Sequence, residues 1–165
     1  MKKLFSKIVL AGVLGVGGLS CIADNEAIVL VEPSIEQPAI TVNQGALGTG
    51  LTGSFQLKLM LGPRASGPSS VNIDKFELLS ADQSKALVAT LEAKSAQAFP
   101  VTVELDSEQS LPFTIDFGAM LLPADAYADI CGAGGVRIKA SIRDSLKDGP
   151  TPCVSDVVMP AGCMP

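Results

Sequence analysis

Cysteine and carboxylate are the side chains with the most chemistry open to them in this sequence. The cysteines are Cys21, Cys131, Cys153 and Cys163. With Cys21 set aside in the N-terminal leader, a metal or redox site built from the other three would want a CxxC pair or a fourth ligand, and neither is present. The chain has no histidine, which removes His-activated serine or cysteine nucleophiles and His-ligated metals. SxxK, GxSxG and Walker A patterns are also missing. Among the acids, Asp106 and Glu108 stand two apart, and Asp125 and Asp129 four apart. Such pairs can ligate calcium together with backbone carbonyls, or act as acid and base. No EF-hand spacing accompanies them, and acidic loops are more often simply solvated. The glycine-rich stretch from Gly45 to Gly53 carries no lysine and no following helical pattern, so it reads as a flexible loop rather than a phosphate cradle. The expectation is a chain with no catalytic residue, no metal and no cofactor, and therefore not an enzyme.

The elements that would position these residues are strands. Phe55, Leu57, Leu59 and Leu61 alternate with Gln56, Lys58 and Met60, the period of a half-buried strand. Leu111, Phe113, Ile115 and Phe117 alternate in the same way. So do Val101, Val103 and Leu105, and Val136, Ile138, Ala140 and Ile142. A strand beginning at Val71 and Ile73 breaks phase near Lys75-Phe76, which predicts a bulge. Glycine- and proline-containing loops separate these runs, at Gly45–Gly53, Gly62–Ser69 and Asp148-Gly149-Pro150. Ser80–Ala98 admits two readings. Ser80 with Gln83 resembles a helix capping box, and Leu87 and Leu91 share helical spacing. A hairpin is preferred, because the flanks are strands and Val88 and Thr90 favour one.

Val136–Arg143 and Thr151–Met159 are expected to pair around a loop over 144–150. Apolar matching sets Val136 against Met159, Ile138 against Val157, Ala140 against Ser155 and Ile142 against Cys153. The other face then sets Lys139 against Asp156, an opposite-charge pair worth a few tenths of a kcal/mol. In this register Cys131 and Cys163 lie nearly opposite each other at the open end, with Gly132, Gly134 and Gly135 to absorb the mismatch. A Cys131–Cys163 disulfide is expected. It would close a loop of about 33 residues and stabilise by about 3–4 kcal/mol in the chain-entropy model. Cys153 faces inward as a buried free thiol. It lies up to ~33 Å along the strand from Cys163, and a bridge tolerates a Cα separation of only ~7 Å.

The first twenty residues read as a targeting signal. Lys2, Lys3 and Lys7 precede the uncharged apolar run Ile8–Leu19, which is too short to span a bilayer. The run ends in Gly18-Leu19-Ser20-Cys21, which resembles the lipobox of bacterial lipoproteins. Ser20 and Cys21 fit that pattern; Gly18 stands where leucine is usual. The resemblance covers residues 1–21 and implies that Cys21 is acylated and becomes the mature N-terminus. The rival is ordinary cleavage after Ala23, giving a secreted protein. Ile22 after the cysteine resembles an outer-membrane address. Ile22 to Gln37 reads as either a tether or a first edge strand.

Charge and composition bound what the remaining domain can do. Three of the 12 basic residues precede Cys21, so 9 remain against 17 acidic ones, a net of −8. A nucleic acid partner is not expected at that charge. With six Phe, one Tyr and no Trp, a sugar-stacking surface is disfavoured. Tyr127, ahead of the strand at Val136, loosely resembles the corner tyrosine of immunoglobulin-like sandwiches.

The expected fold is all-β: an immunoglobulin-like β-sandwich of about seven to nine antiparallel strands, preceded by a signal peptide. The divisions are 1–20 signal peptide, 21–37 anchored N-terminus and tether or edge strand, and 38–165 sandwich. The expected role is that of an envelope-anchored lipoprotein. It would be held to the membrane through Cys21 and meet an unidentified envelope protein through a structural or interaction module. The alternative is a surface domain binding a small ligand or calcium.

Overall fold

Alternating burial along the strands produces two antiparallel sheets packed face to face. The computed structural model describes residues 29–45, 48–116, 122–123 and 125–163. Its strands are β1 (Glu32–Gly45), β2 (Gly48–Leu61), β3 (Ser69–Ser80), β4 (Ala86–Val88), β5 (Ala93–Lys94), β6 (Val101–Val103), β7 (Ser107–Asp116), β8 (Val136–Asp144) and β9 (Thr151–Val154). One short helix, α1 (Ala126–Gly132), lies between β7 and β8. One sheet runs β1-β2-β7-β5. The other runs β4-β3-β8-β9, and β6 pairs with the opposite end of β3 from β4. The architecture is a β-sandwich.

The core is the set of inward positions read from the strand period. Phe55, Leu57, Leu59 and Leu61 of β2 and Leu111, Phe113 and Ile115 of β7 are buried. They meet Phe76 and Leu78 of β3 and Val136, Ile138, Ala140 and Ile142 of β8. Its centre is aromatic. Phe55 stacks on Phe113 with ring centroids 5.1 Å apart, and Phe76 stands edge-on to both at 5.2 and 5.1 Å. These are the offset and T-shaped arrangements that the ring quadrupole favours. The phase break in β3 is a bulge: pairing to β8 shifts between Ile73 and Lys75.

Several local expectations are corrected. Gly45–Gly53 is not a loop. β1 runs to Gly45 and β2 begins at Gly48, so the glycines build a hairpin. Gly53 is required there because Gln37, with φ 51°, and Pro38 bulge out of β1 opposite Phe55. The bulge brings the Ala39 carbonyl oxygen to where a Cβ on residue 53 would stand. The preferred hairpin reading of Ser80–Ala98, by contrast, holds, with no helix in the segment. β4 returns beside the end of β3, and Ala93–Lys94 crosses to pair with β7. β6 stops at Val103, leaving Leu105 41% exposed. Phe117 lies outside the described residues.

The β8–β9 register is also corrected. Ala140 opposes Cys153 and Ile142 opposes Thr151, two residues away from the expected pairing. Lys139 opposes Val154 and makes its ion pair with Glu77 of β3, 3.0 Å away, rather than with Asp156. A two-residue slip leaves every side chain on its own face, so burial alone cannot distinguish these registers. The turn decides. The Leu146 N–H donates to the Asp144 carboxylate at 2.6 Å, and Leu146 tucks against the core. Beyond β9, the Ser155 hydroxyl turns inward and accepts the Ile138 N–H at 2.9 Å. The ladder then steps by one residue, so Val158 rather than Met159 bridges Val136. Val157 and Met159, expected inward, are 43% and 70% exposed.

Candidate functional site

The predicted disulfide organises one end of the sandwich. Ala126 and Ile130, one helical turn apart, bury the inner face of α1, and Cys131 follows at its end. Gly134 and Gly135, with φ of 65° and 120°, turn the chain into β8. Cys131 and Cys163 are bonded, with Cα atoms 5.4 Å apart. Beside the bridge, the Tyr127 hydroxyl donates to the Gly162 carbonyl at 3.0 Å. Ala161 lies parallel to β1: its N–H donates to Ile40 O at 2.9 Å, and its carbonyl accepts the Val42 N–H at 2.8 Å. Gly162 passes so close to Val42 that a Cβ would strike the Val42 carbonyl oxygen.

Residues 159–163 bury no large apolar side chain, since Met159, Ala161 and Gly162 are exposed and Pro160 and Cys163 half-buried. Three hydrogen bonds at about 1 kcal/mol each do not offset an ordering cost of about 1–2 kcal/mol per residue. The disulfide supplies the difference, at about 3–4 kcal/mol for a loop of this size.

Cys153 is buried and unbonded among the described residues. Its thiol donates to Pro33 O at 3.3 Å. Burial pushes its pKa up to about 11, against a smaller opposing effect of a backbone hydrogen bond at Ile35. A thiol so rarely ionised at neutral pH is a poor nucleophile. Cys21 lies outside the described residues. No group of three His, Cys, Asp or Glu among the described residues could hold a metal ion.

The acids singled out by spacing do not converge. Glu108 pairs with Lys58 at 2.9 Å and Asp129 with Lys85 at 2.8 Å. Asp106 sits in a left-handed turn at φ 53°, and Asp125 precedes α1 without a side-chain cap bond. Gly48-Thr49-Gly50-Leu51-Thr52-Gly53 has the glycine spacing of a dinucleotide-binding turn, but it lies within β2. No helix follows to receive a pyrophosphate. The basic residues of β8 are each engaged. Arg137 donates to the carbonyls of Ala81 and Ser155 at 2.9 and 2.7 Å. Arg143 pairs with Asp74 at 2.9 Å.

Spacing alone did not disclose one buried, ion-paired carboxylate. Glu77 has an 11% exposed side chain held between Lys75 at 2.9 Å and Lys139 at 3.0 Å. Hydrogen bonds from Lys75 first, then Lys139, hold its carboxyl below the ordinary glutamate value despite burial. Lys75 and Glu77 stand two apart, as strand neighbours do, but Lys139 reaches them only through the β3–β8 pairing.

A cleft of about 500 Å³ opens at the β5 side between the two sheets, with Phe76, Phe99 and Phe113 in its lining and Glu92 and Lys94 beside them. Asp74 and Lys75, which also line it, are already paired with Arg143 and Glu77. The cleft offers apolar contact and no acid–base constellation. No protein-family model, curated protein or solved structure matches the chain.

Proposed function

We propose that this chain is an envelope lipoprotein, anchored in the membrane through acylated Cys21. Its immunoglobulin-like sandwich serves a structural or protein-interaction role rather than catalysis. The observation that carries the reading is the Cys131–Cys163 bridge in a chain whose first 21 residues resemble a lipoprotein signal. Structural disulfides belong to compartments outside the reducing cytoplasm. The immunoglobulin-like reading is supported by strand order. β1-β2-β7-β5 and β4-β3-β8-β9 follow, in chain order, the A-B-E-D and C′-C-F-G sheets of that fold. Tyr127 stands between the strands equivalent to E and F and bonds to backbone, although to the C-terminal segment.

The anchor also orients the sandwich. Ten residues lie between Cys21 and the start of β1 at Glu32, a reach of at most about 40 Å. The membrane-facing end therefore carries the β2–β3 and β8–β9 loops. The end of β1 at Gly45, the 80–85 turn and α1 face away. Most sheet edges offer little for strand addition. β4, β5, β6 and β9 have three, two, three and four residues, and short edge strands resist intermolecular pairing. The long edge is β1, with 14 residues, and Ala161 covers part of it. With that edge covered, the distal loops are the surface offered to a partner.

Metabolic labelling with a palmitate analogue tests the anchor. The wild type should take up label in the envelope fraction, and Cys21→Ala should not. Label retained by Cys21→Ala would overturn the reading.

A further inference from the structure

The disulfide sits where it controls one strand edge rather than the core. Ile40 and Val42 of β1 turn their backbone groups away from β2 and toward Ala161. That contact covers part of the outer edge of β1, and only the exposed segment 159–163 makes it. The segment is held by two hydrogen bonds to β1, one from Tyr127, and the bridge. Cys131 and Cys163 are themselves only half-buried, so a reductant can reach them. The core strands β2, β3, β7 and β8 pair with one another independently of this segment.

We infer that Cys131–Cys163 is a redox latch. Its reduction by a dithiol releases residues 159–163 and uncovers the Ile40–Val42 edge of β1, while the sandwich stays folded. The chemistry is thiol–disulfide exchange. A thiolate of the dithiol attacks one sulfur, the Cys131–Cys163 bond breaks, and a mixed disulfide forms. The second thiol of the reagent resolves it. Two electrons and two protons end on Cys131 and Cys163 as thiols, and the dithiol leaves as its own disulfide. Cys153 takes no part, being buried on β9. The uncovered edge presents a free N–H at Val42 and a free carbonyl at Ile40, the pattern that a further strand can fill.

Hydrogen exchange of the purified mature protein, oxidised and after dithiothreitol, tests the latch. Counting alkylated thiols under native conditions verifies that two have been released. In the reduced protein the amides of Val42 and Ala161 should exchange to within about tenfold of the unprotected rate, as frayed segments do. Amides of β2 and β8, such as Leu57 and Ile138, should keep their protection. The Cys131→Ser, Cys163→Ser double variant should match the reduced protein without reagent. Unchanged protection at Val42 and Ala161 after verified reduction would overturn the inference. Loss of protection throughout β2 and β8, in the reduced protein or the variant, would also overturn it, because the bridge would then hold the whole sandwich.

Discussion

Asp82 shows how much structure one exposed carboxylate can hold. It accepts the Ser80 hydroxyl at 2.6 Å and both the N–H and the hydroxyl of Ser84, at 3.1 and 2.9 Å. These donors, Ser80 foremost, lower its pKa to about 2. The folded-state pKa lies below that of free aspartate, about 3.9. Its contribution to stability is therefore complete above about pH 4 and is lost as pH falls through 2. An NMR titration should place the Asp82 midpoint near 2, and Asp82→Asn should remove this residue's share of acid sensitivity; a midpoint near 4 would mean the turn is not closed by this side chain. Glu77 behaves in the same direction but is buried. Glu77→Ala should cost about 1–3 kcal/mol in urea unfolding, because Lys139 and Lys75 lose their shared acceptor. Lys75→Ala should cost less, since Lys75 is half exposed and exposed ion pairs contribute little. A smaller loss for Glu77→Ala than for Lys75→Ala would contradict the assignment. At this scale the cysteine pair was legible in the sequence, because glycines follow Cys131 and an apolar hairpin lies between the partners. The Glu77 pairs were not, because they need a neighbouring strand that no local pattern specifies.

The strands themselves were read from alternation, and alternation fixes which face a residue takes. It fixed the inward positions of β2, β7 and β8 and the bulge in β3. It does not fix how far one strand slides along another in steps of two. Cys153 was therefore placed on the correct face opposite the wrong residue, and the Lys139–Asp156 pair does not form. Asp144 and Leu146 in the turn, and the Ser155 hydroxyl at the far end, set the register through tertiary contacts. Gly45–Gly53 was misjudged for a related reason. Glycine signals a loop by its freedom, yet Gly53 sits in a strand because the bulge at Gln37-Pro38 leaves no room for a Cβ. Gly53→Ala should destabilise by about 1–3 kcal/mol, as overpacking does. Gly67→Ala should be close to neutral, since nothing lies within 4 Å of a Cβ there. Equal effects, measured by chemical denaturation, would show that the close approach at Ala39 is not limiting.

For the whole molecule, the sandwich, the Cys131–Cys163 bridge and the leader-like N-terminus together support the proposal of an envelope protein. Reducing Cys131–Cys163 should lower the unfolding free energy by about 3–4 kcal/mol and leave a cooperative transition. An unchanged midpoint in urea would mean the bridge constrains little of the unfolded chain. The function of the sandwich was less legible than its fold, because loops of the kind proposed to meet a partner carry no period and no motif. The basic side chains of β8 that a polyanion site would need are taken up by Glu77, Asp74 and backbone carbonyls. In the proposed reading the N-terminus carries the address, and its mass is the most direct measurement. Protein purified from the envelope of cells expressing the full chain should begin at Cys21, lack residues 1–20, and carry the added mass of acyl chains on its N-terminal peptide. An unmodified N-terminal peptide beginning at Asp24 would contradict the account.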